Sequence, residues 1–209
     1  MEWSTWLIFF IASWAISLSP GAGAVAAMSA GLAHGFARGY WLTFGLILGF
    51  LSQLAMVGAG LGALIAASSA AFALVKWFGV GYLLWLGISQ WRSRASTLKA
   101  NAGGAAGISR RALVMRGWML NTVNPKGTLF MLAVVPQFID PAHPLLPQYL
   151  AIGATLAFTD LVVNAGYTAF AARVLAAFGT PGRLRWLNRI FGGLFIGLAT
   201  VLATLKRSA

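Results

Sequence analysis

The sequence predicts an all-α integral membrane protein. Six transmembrane helices form two inverted three-helix repeats, with broken helices at Pro20 and Pro125. Three observations lead there: extreme apolarity, six long hydrophobic segments with unevenly charged loops, and a likeness between the two halves of the chain.

Apolarity comes first. The chain is 59% hydrophobic with a mean hydropathy of +0.81, and only 9% of its residues are charged. Soluble domains carry roughly 25% charged residues, so this chain lacks the charge to cover a water-facing surface. A hydrocarbon core about 30 Å thick needs about 20 apolar residues per helical span. Hydrophobic segments run over 3–33, 41–66, 70–91, 112–138, 147–172 and 186–205. The first lacks a basic leader region and is too long for a signal peptide.

Charge orients the segments. Arg38 lies in the first loop; Arg92, Arg94, Lys99, Arg110, Arg111 and Arg116 in the third; Arg173, Arg183, Arg185 and Arg189 in the fifth. Loops two and four carry no Lys or Arg, and Asp140 lies in the fourth. The positive-inside rule puts loops one, three and five in the cytoplasm and both termini outside. The net charge of +12 therefore reports membrane orientation and no nucleic-acid partner. Trp41, Trp91, Trp118 and Trp186 fall at span ends, where indole rings anchor helices at the interface.

Residues 92–111 are basic and rich in small residues, and read as a cytoplasmic linker between repeats at 1–91 and 112–209. Ser19-Pro20 matches Asn124-Pro125 at an offset of 105 residues, Trp41 and Gly45 match Tyr149 and Gly153 at 108, and Lys76-Trp77 matches Arg185-Trp186 at 109. A slow one-way drift is what a diverged duplication leaves. With three spans each, the second repeat enters the membrane inverted. Inverted repeats with interrupted helices mark transporters whose binding site lies near the midplane.

The interruptions carry the candidate chemistry. Pro20 frees the carbonyl of Ile16 and Pro125 that of Asn121. Ser19 and Asn124 each precede a proline as a helix N-cap does, so a second half-helix is expected to begin inside the membrane at each. Its first N–H groups, around Gly21 or Lys126, can hold a carboxylate, and the freed carbonyls can hold an ammonium group. Together they suit a zwitterion. The competing reading is a pair of ordinary proline kinks, which transmembrane helices tolerate.

Asp160 is the one acid midway along a span. A charge at that depth costs at least about 2.5 kcal/mol, and withdrawal from water favours the neutral form of a carboxyl group. This suits a group that carries protons; the alternative is a structural hydrogen-bond partner. Asn164 shares its helix face, and Ser52, beside Gln53, is its counterpart in the first repeat. Lys126 is open to three readings: neutralising Asp160, meeting a substrate carboxylate, or snorkelling to the interface. His34 reads as a solvated loop residue. The 25 glycines serve close helix packing.

These residues carry a resemblance. The stretches LSPGAGAVAAMSAGLAHG, KWFGVGYLLWLGISQWR, NTVNPKGTLFMLAVVPQFID, TDLVVNAGYTAFAAR and LNRIFGGLFIGLA, in that order and spacing, resemble the LysE/RhtB family of amino-acid exporters. The likeness is nearest to the branch that exports homoserine, homoserine lactone and threonine. Many members have Pro-Gly-Pro where this chain has Pro20-Gly21-Ala22. The resemblance implies a multi-pass protein of the bacterial inner membrane that expels small amino acids in exchange for protons. Substrate-binding candidates are then Ser19, Pro20, Gly21, Asn121, Asn124, Pro125, Lys126 and Asn164, with Asp160 coupling protons. No cofactor or metal is expected: the chain has no cysteine, its two histidines lie far apart and no nucleotide-binding glycine loop occurs. An enzyme would need a second acid or an intramembrane histidine beside Asp160. A channel, or an efflux protein for another small polar metabolite, remains the alternative, and homo-oligomer formation is left open.

Overall fold

The computed structural model describes residues 3–67, 69–93, 108–140, 142–171, 173–174 and 181–204. The path begins with α1 (Trp3–Leu18), which stops where Pro20 removes a donor and disfavours helical backbone at the residue before it. After a bend of 56°, α2 (Ala22–Gly39) continues. Gly35 kinks α2 with φ 70°, the left-handed region that glycine tolerates. The loop expected around His34 is therefore a kinked helix, and His34 is half-buried. Next come α3 (Trp41–Ala67) and α4 (Ser69–Arg92).

The second half starts with α5 (Arg110–Thr122), capped by Ser109 Oγ, which accepts from Ala112 N at 3.1 Å. A second break leads to α6 (Pro125–Val134) and a 3-10 turn (Val135–Phe138). α7 (Leu145–Ala169) and α8 (Pro181–Thr204) complete the path. Arg183, Arg185 and Arg189 thus lie within the first turns of α8, not in a loop ahead of it. Most of the expected linker, 94–107, lies outside the described residues. Among those described, three helices are long and apolar enough to cross a membrane, and four if α1 and α2 form one bent span. No strand occurs among them.

The packing is inverted relative to a soluble protein. Large apolar side chains such as Leu74, Val123, Leu146 and Leu150 face outward, while Ser13, Gln53, Thr159, Asp160 and Asn164 are buried. An apolar core centred on Phe9, Phe130, Phe138 and Phe195 joins α1, α6, the 3-10 turn and α8 to α3, α4 and α7. In lipid, apolar burial between helices yields little, so close packing has to supply cohesion. Glycines allow it. Gly45 and Gly49 of α3 face α5, and Gly117 of α5 faces the Leu42 carbonyl of α3. On α4 and α8, a Cβ on Gly87 would lie 2.8 Å from the Gly192 carbonyl, and one on Gly192 2.7 Å from the Gly87 carbonyl.

The α6–α7 connection is pinned by Gln148. Its Oε1 accepts from Asp140 N and its Nε2 donates to Asp140 O, both at 2.8 Å. Ala142 N donates to Asp140 Oδ1 at 2.9 Å, and the His143 ring lies 2.7 Å from Oδ2. These two contacts, the backbone N–H first, hold the exposed Asp140 carboxyl below the usual carboxylate range.

Candidate functional site

The two breaks face one cavity. Its volume is about 50 Å³, several times the roughly 10–15 Å³ that one water requires. Ser19, Gly21, Asn121, Asn124, Lys126, Asp160 and Asn164 all line it, so residues as far apart as 19 and 164 come together. Pro20 and Pro125 do not line it. Pro20 sits on an apolar groove beside Trp14, Leu18 and Tyr167, and Pro125 is exposed. Both act on the backbone.

At the second break the capping expectation holds. Asn124 Oδ1 accepts from Lys126 N at 3.1 Å, with Pro125 in the first turn of α6. The Asn121 carbonyl, which Pro125 frees, accepts from Gln53 Nε2 at 2.8 Å. Gln53 Nε2 also reaches Thr122 O and Asn124 O at 3.3 Å and Thr128 Oγ1 at 2.9 Å. Asn121 Nδ2 donates to Leu46 O at 2.6 Å, and Asn124 Nδ2 to Asn121 Oδ1 at 3.2 Å. The carbonyls of this break are met largely from inside the protein, while Gln53 Oε1 is buried without a partner among the described residues.

The first break is built differently. Ser19 does not cap α2. The N-cap is Gly21, extended and without a side-chain bond, so the first-turn N–H groups of α2 lack both helical partners and a cap. Ala22, Gly23 and Ala24 line the cavity at that end, as does Ile16. The Ile16 carbonyl accepts no hydrogen bond among the described residues. The Leu18 carbonyl accepts from Tyr167 Oη at 2.7 Å. Ser19 O accepts from Lys126 Nζ at 3.2 Å, which places a cation at the C-terminal end of α1, where the helix dipole favours one. Lys126 Nζ also donates to Ser19 Oγ at 2.7 Å, and lies 6.0 Å from the centre of the Phe195 ring. Lys126 therefore reaches across to the opposite half and does not snorkel.

Asp160 is 4% exposed. Ser17 Oγ donates to its Oδ1 at 2.7 Å and lies 3.2 Å from Thr159 Oγ1. Asn164 Nδ2 donates to the Asp160 carbonyl, one turn back, at 3.0 Å. No ion pair within 4.0 Å joins Asp160 to Lys126 among the described residues. The cavity thus presents two groups of opposite formal charge that are not spent on each other, and none of its lining side chains is a histidine, cysteine or second acid. Ser17, Gln53, Gln90 and Tyr167 are contributors to which sequence reasoning gave no role. For Gln53 a signal was present, since it neighbours Ser52, the position that the expected repeat pairs with Asp160.

The family model for LysE type translocators matches residues 14–206. A homoserine/homoserine lactone efflux protein of Salmonella typhimurium is 38% identical over 207 residues, covering 99% of this chain and 98% of its own. A membrane protein of Vibrio cholerae serotype O1 is 38% identical over 206 residues, covering 99% and 100%. A leucine efflux protein of Enterobacter sp. is 30% identical over 200 residues, covering 94% of each. No solved structure matches. Matched along nearly its whole length, the chain belongs to the LysE-type translocators, a family of amino-acid-exporting membrane proteins.

Proposed function

We propose that this chain is a secondary active exporter of small amino acids, of the homoserine, homoserine lactone or threonine type, which exchanges them for protons across the bacterial inner membrane. The observation that carries the reading is the single cavity lined by Asp160 and Lys126, unpaired with each other, between an uncapped helix N-terminus and an unfilled carbonyl. A substrate carboxylate fits the α2 end, where Lys126 Nζ and the first-turn N–H groups converge. A substrate ammonium fits Asp160 and the Ile16 carbonyl. An ammonium group and a proton cannot neutralise the same carboxylate together. Proton arrival therefore expels the substrate, and proton loss admits the next one, which makes the exchange obligatory.

The architecture proposed for this is six spans in two inverted repeats, 1–91 and 112–209, with both termini outside. Its support includes the α4–α8 contact. Lys76-Trp77 and Arg185-Trp186, the pair matched at an offset of 109, lie on these two helices, and Gly87 and Gly192 each meet the other's carbonyl. Such reciprocity is what elements related by a two-fold axis display.

The test is export from proteoliposomes over a panel that includes homoserine, threonine and leucine, with pH gradients of either sign. Wild type should export against a substrate gradient only when protons run the opposite way. Asp160→Asn keeps shape but cannot release a proton, and should lose gradient-driven export while retaining membrane abundance. Wild-type rate and pH dependence in Asp160→Asn would place the proton route elsewhere. A wild type that moves no amino acid would overturn the substrate class.

A further inference from the structure

Ser19 does not cap its helix, and its side chain is engaged from two sides. Lys126 Nζ donates to Ser19 Oγ at 2.7 Å, and Gln90 Nε2, from the last turns of α4, donates to it at 2.8 Å. A hydroxyl oxygen has two acceptor lone pairs and one hydrogen to donate. An ammonium group and the N–H of an amide are donors only, so both lone pairs are taken and the O–H must point into the remaining direction. Ser19 is 4% exposed and lines the cavity. Its own O–H meets no acceptor among the described residues, although a buried donor without one costs stability.

We infer that Gln90 is a positioning residue that, with Lys126, fixes the Ser19 hydroxyl as a hydrogen-bond donor to the carboxylate of the transported amino acid. This rests on the transport reading above and adds to it the polarity of one end of the site. The carboxylate would receive the Ser19 O–H beside the N–H groups of α2, and α4 would thereby join the site through Gln90. Left alone, a serine hydroxyl turns freely between donor and acceptor roles. With both lone pairs occupied it can only donate, which favours a carboxylate over the weaker carbonyl acceptor of a lactone.

Gln90→Glu provides the test, because it keeps size and shape but turns a donor into an acceptor. The Ser19 hydroxyl would then donate to the new carboxylate and turn away from substrate. The KM for homoserine should rise on the order of tenfold, the scale of a lost hydrogen bond to a charged group, with maximal rate and membrane abundance little changed. Homoserine lactone, which lacks the carboxylate, should show a much smaller rise. Gln90→Ala removes the bias without reversing it, and should raise the homoserine KM by less, about threefold. Ser19→Ala should reproduce the homoserine-selective rise, and Gln90→Ala should then add nothing to it. The inference is overturned if the homoserine KM of Gln90→Glu is no higher than that of Gln90→Ala, as it would be if Gln90 accepted from Ser19, or if homoserine and its lactone are affected alike. Should Gln90→Glu fail to reach the membrane, additive effects of Ser19→Ala and Gln90→Ala overturn it instead. A wild type that exports neither compound overturns both this inference and the transport reading; an active wild type with the wrong order of variants overturns this one alone.

Discussion

The two breaks begin from the same sequence device, a polar residue followed by proline, and end as different objects. At the second, one buried amide answers the loosened backbone: Gln53, 1% exposed, places its two N–H groups among the Asn121 carbonyl and Thr128 hydroxyl at 2.8 and 2.9 Å and the Thr122 and Asn124 carbonyls at 3.3 Å, while Asn124 caps the new helix. At the first, the ionisable group is Asp160, which the proposed repeat places one step from Gln53; it is an acceptor when ionised and takes its hydrogen bond from Ser17. Among the described residues, the α2 N-terminus has no side-chain cap and the Ile16 carbonyl accepts no hydrogen bond. A neutral amide offers its break the same donors at every pH. A carboxyl group changes what it offers with its protonation state, and so leaves its break responsive. The difference teaches that two breaks built on the same sequence device can be stabilised in different ways, one by fixed amides and one around an ionisable group.

The most severe way to break this comparison is to make the first break resemble the second. Asp160→Gln supplies a fixed amide, and gradient-driven export should fall to the passive level in the proteoliposome assay, with abundance retained; persistence of coupled export would end the distinction. Next in size is Lys126→Met, which removes the one cation that links the breaks. A charge-assisted contact is worth about 1.5–3 kcal/mol, so KM for homoserine should rise about tenfold or more, while Lys126→Arg should recover part of the loss. Gln53→Leu should act in the opposite manner, on stability and not on KM. Leaving the carbonyls of the second break unmet costs about 1–3 kcal/mol, seen as a fall of several degrees in the Tm of the detergent-solubilised protein. A Gln53→Leu protein that is stable but has a raised KM would show that the second break also binds substrate.

The smallest effect is expected away from both breaks. The Asp140 carboxyl is held below its ordinary range by Ala142 N and the His143 ring. A depressed carboxyl value stabilises the folded state above the unfolded value, and that contribution fades as pH falls through the lower, folded one. Asp140→Asn should therefore flatten the acid limb of a Tm-against-pH curve slightly and leave export untouched. A change in transport would mean that this loop moves with the breaks.

Much of this was legible in the sequence because it rests on local rules. Proline cannot continue a helix with full hydrogen bonding, so the interruptions at Pro20 and Pro125 were readable. A lone acid in an apolar segment was readable for the cost of placing it there. What failed was assignment of partners. Ser19 has the composition of an N-cap, yet its hydroxyl goes to Lys126 and Gln90, which stand 107 and 71 residues away. No local rule weighs a cap against a distant cation. Lys126 was ambiguous for the same reason: ten residues past Arg116 a lysine has both an interface and a cavity within reach, and only the placement of Ser19 beside the start of α6 decides. The expected loop at His34 became a kink because Gly35 supplies left-handed backbone that lets α2 bend without ending.

The chain contains one acid at mid-span, Asp160, and this has an electrical consequence. In the proposed exchange one titratable site returns one proton for each neutral zwitterion expelled, so every cycle moves one positive charge inward. An inside-negative membrane therefore drives export even when the pH is equal on both sides. Each 100 mV is worth about 2.3 kcal/mol per charge, which corresponds to an outward concentration ratio of roughly fiftyfold. A cell that loses its pH gradient but keeps its voltage should continue to expel substrate, and reconstituted vesicles should carry a measurable current that stops when Asp160 is replaced.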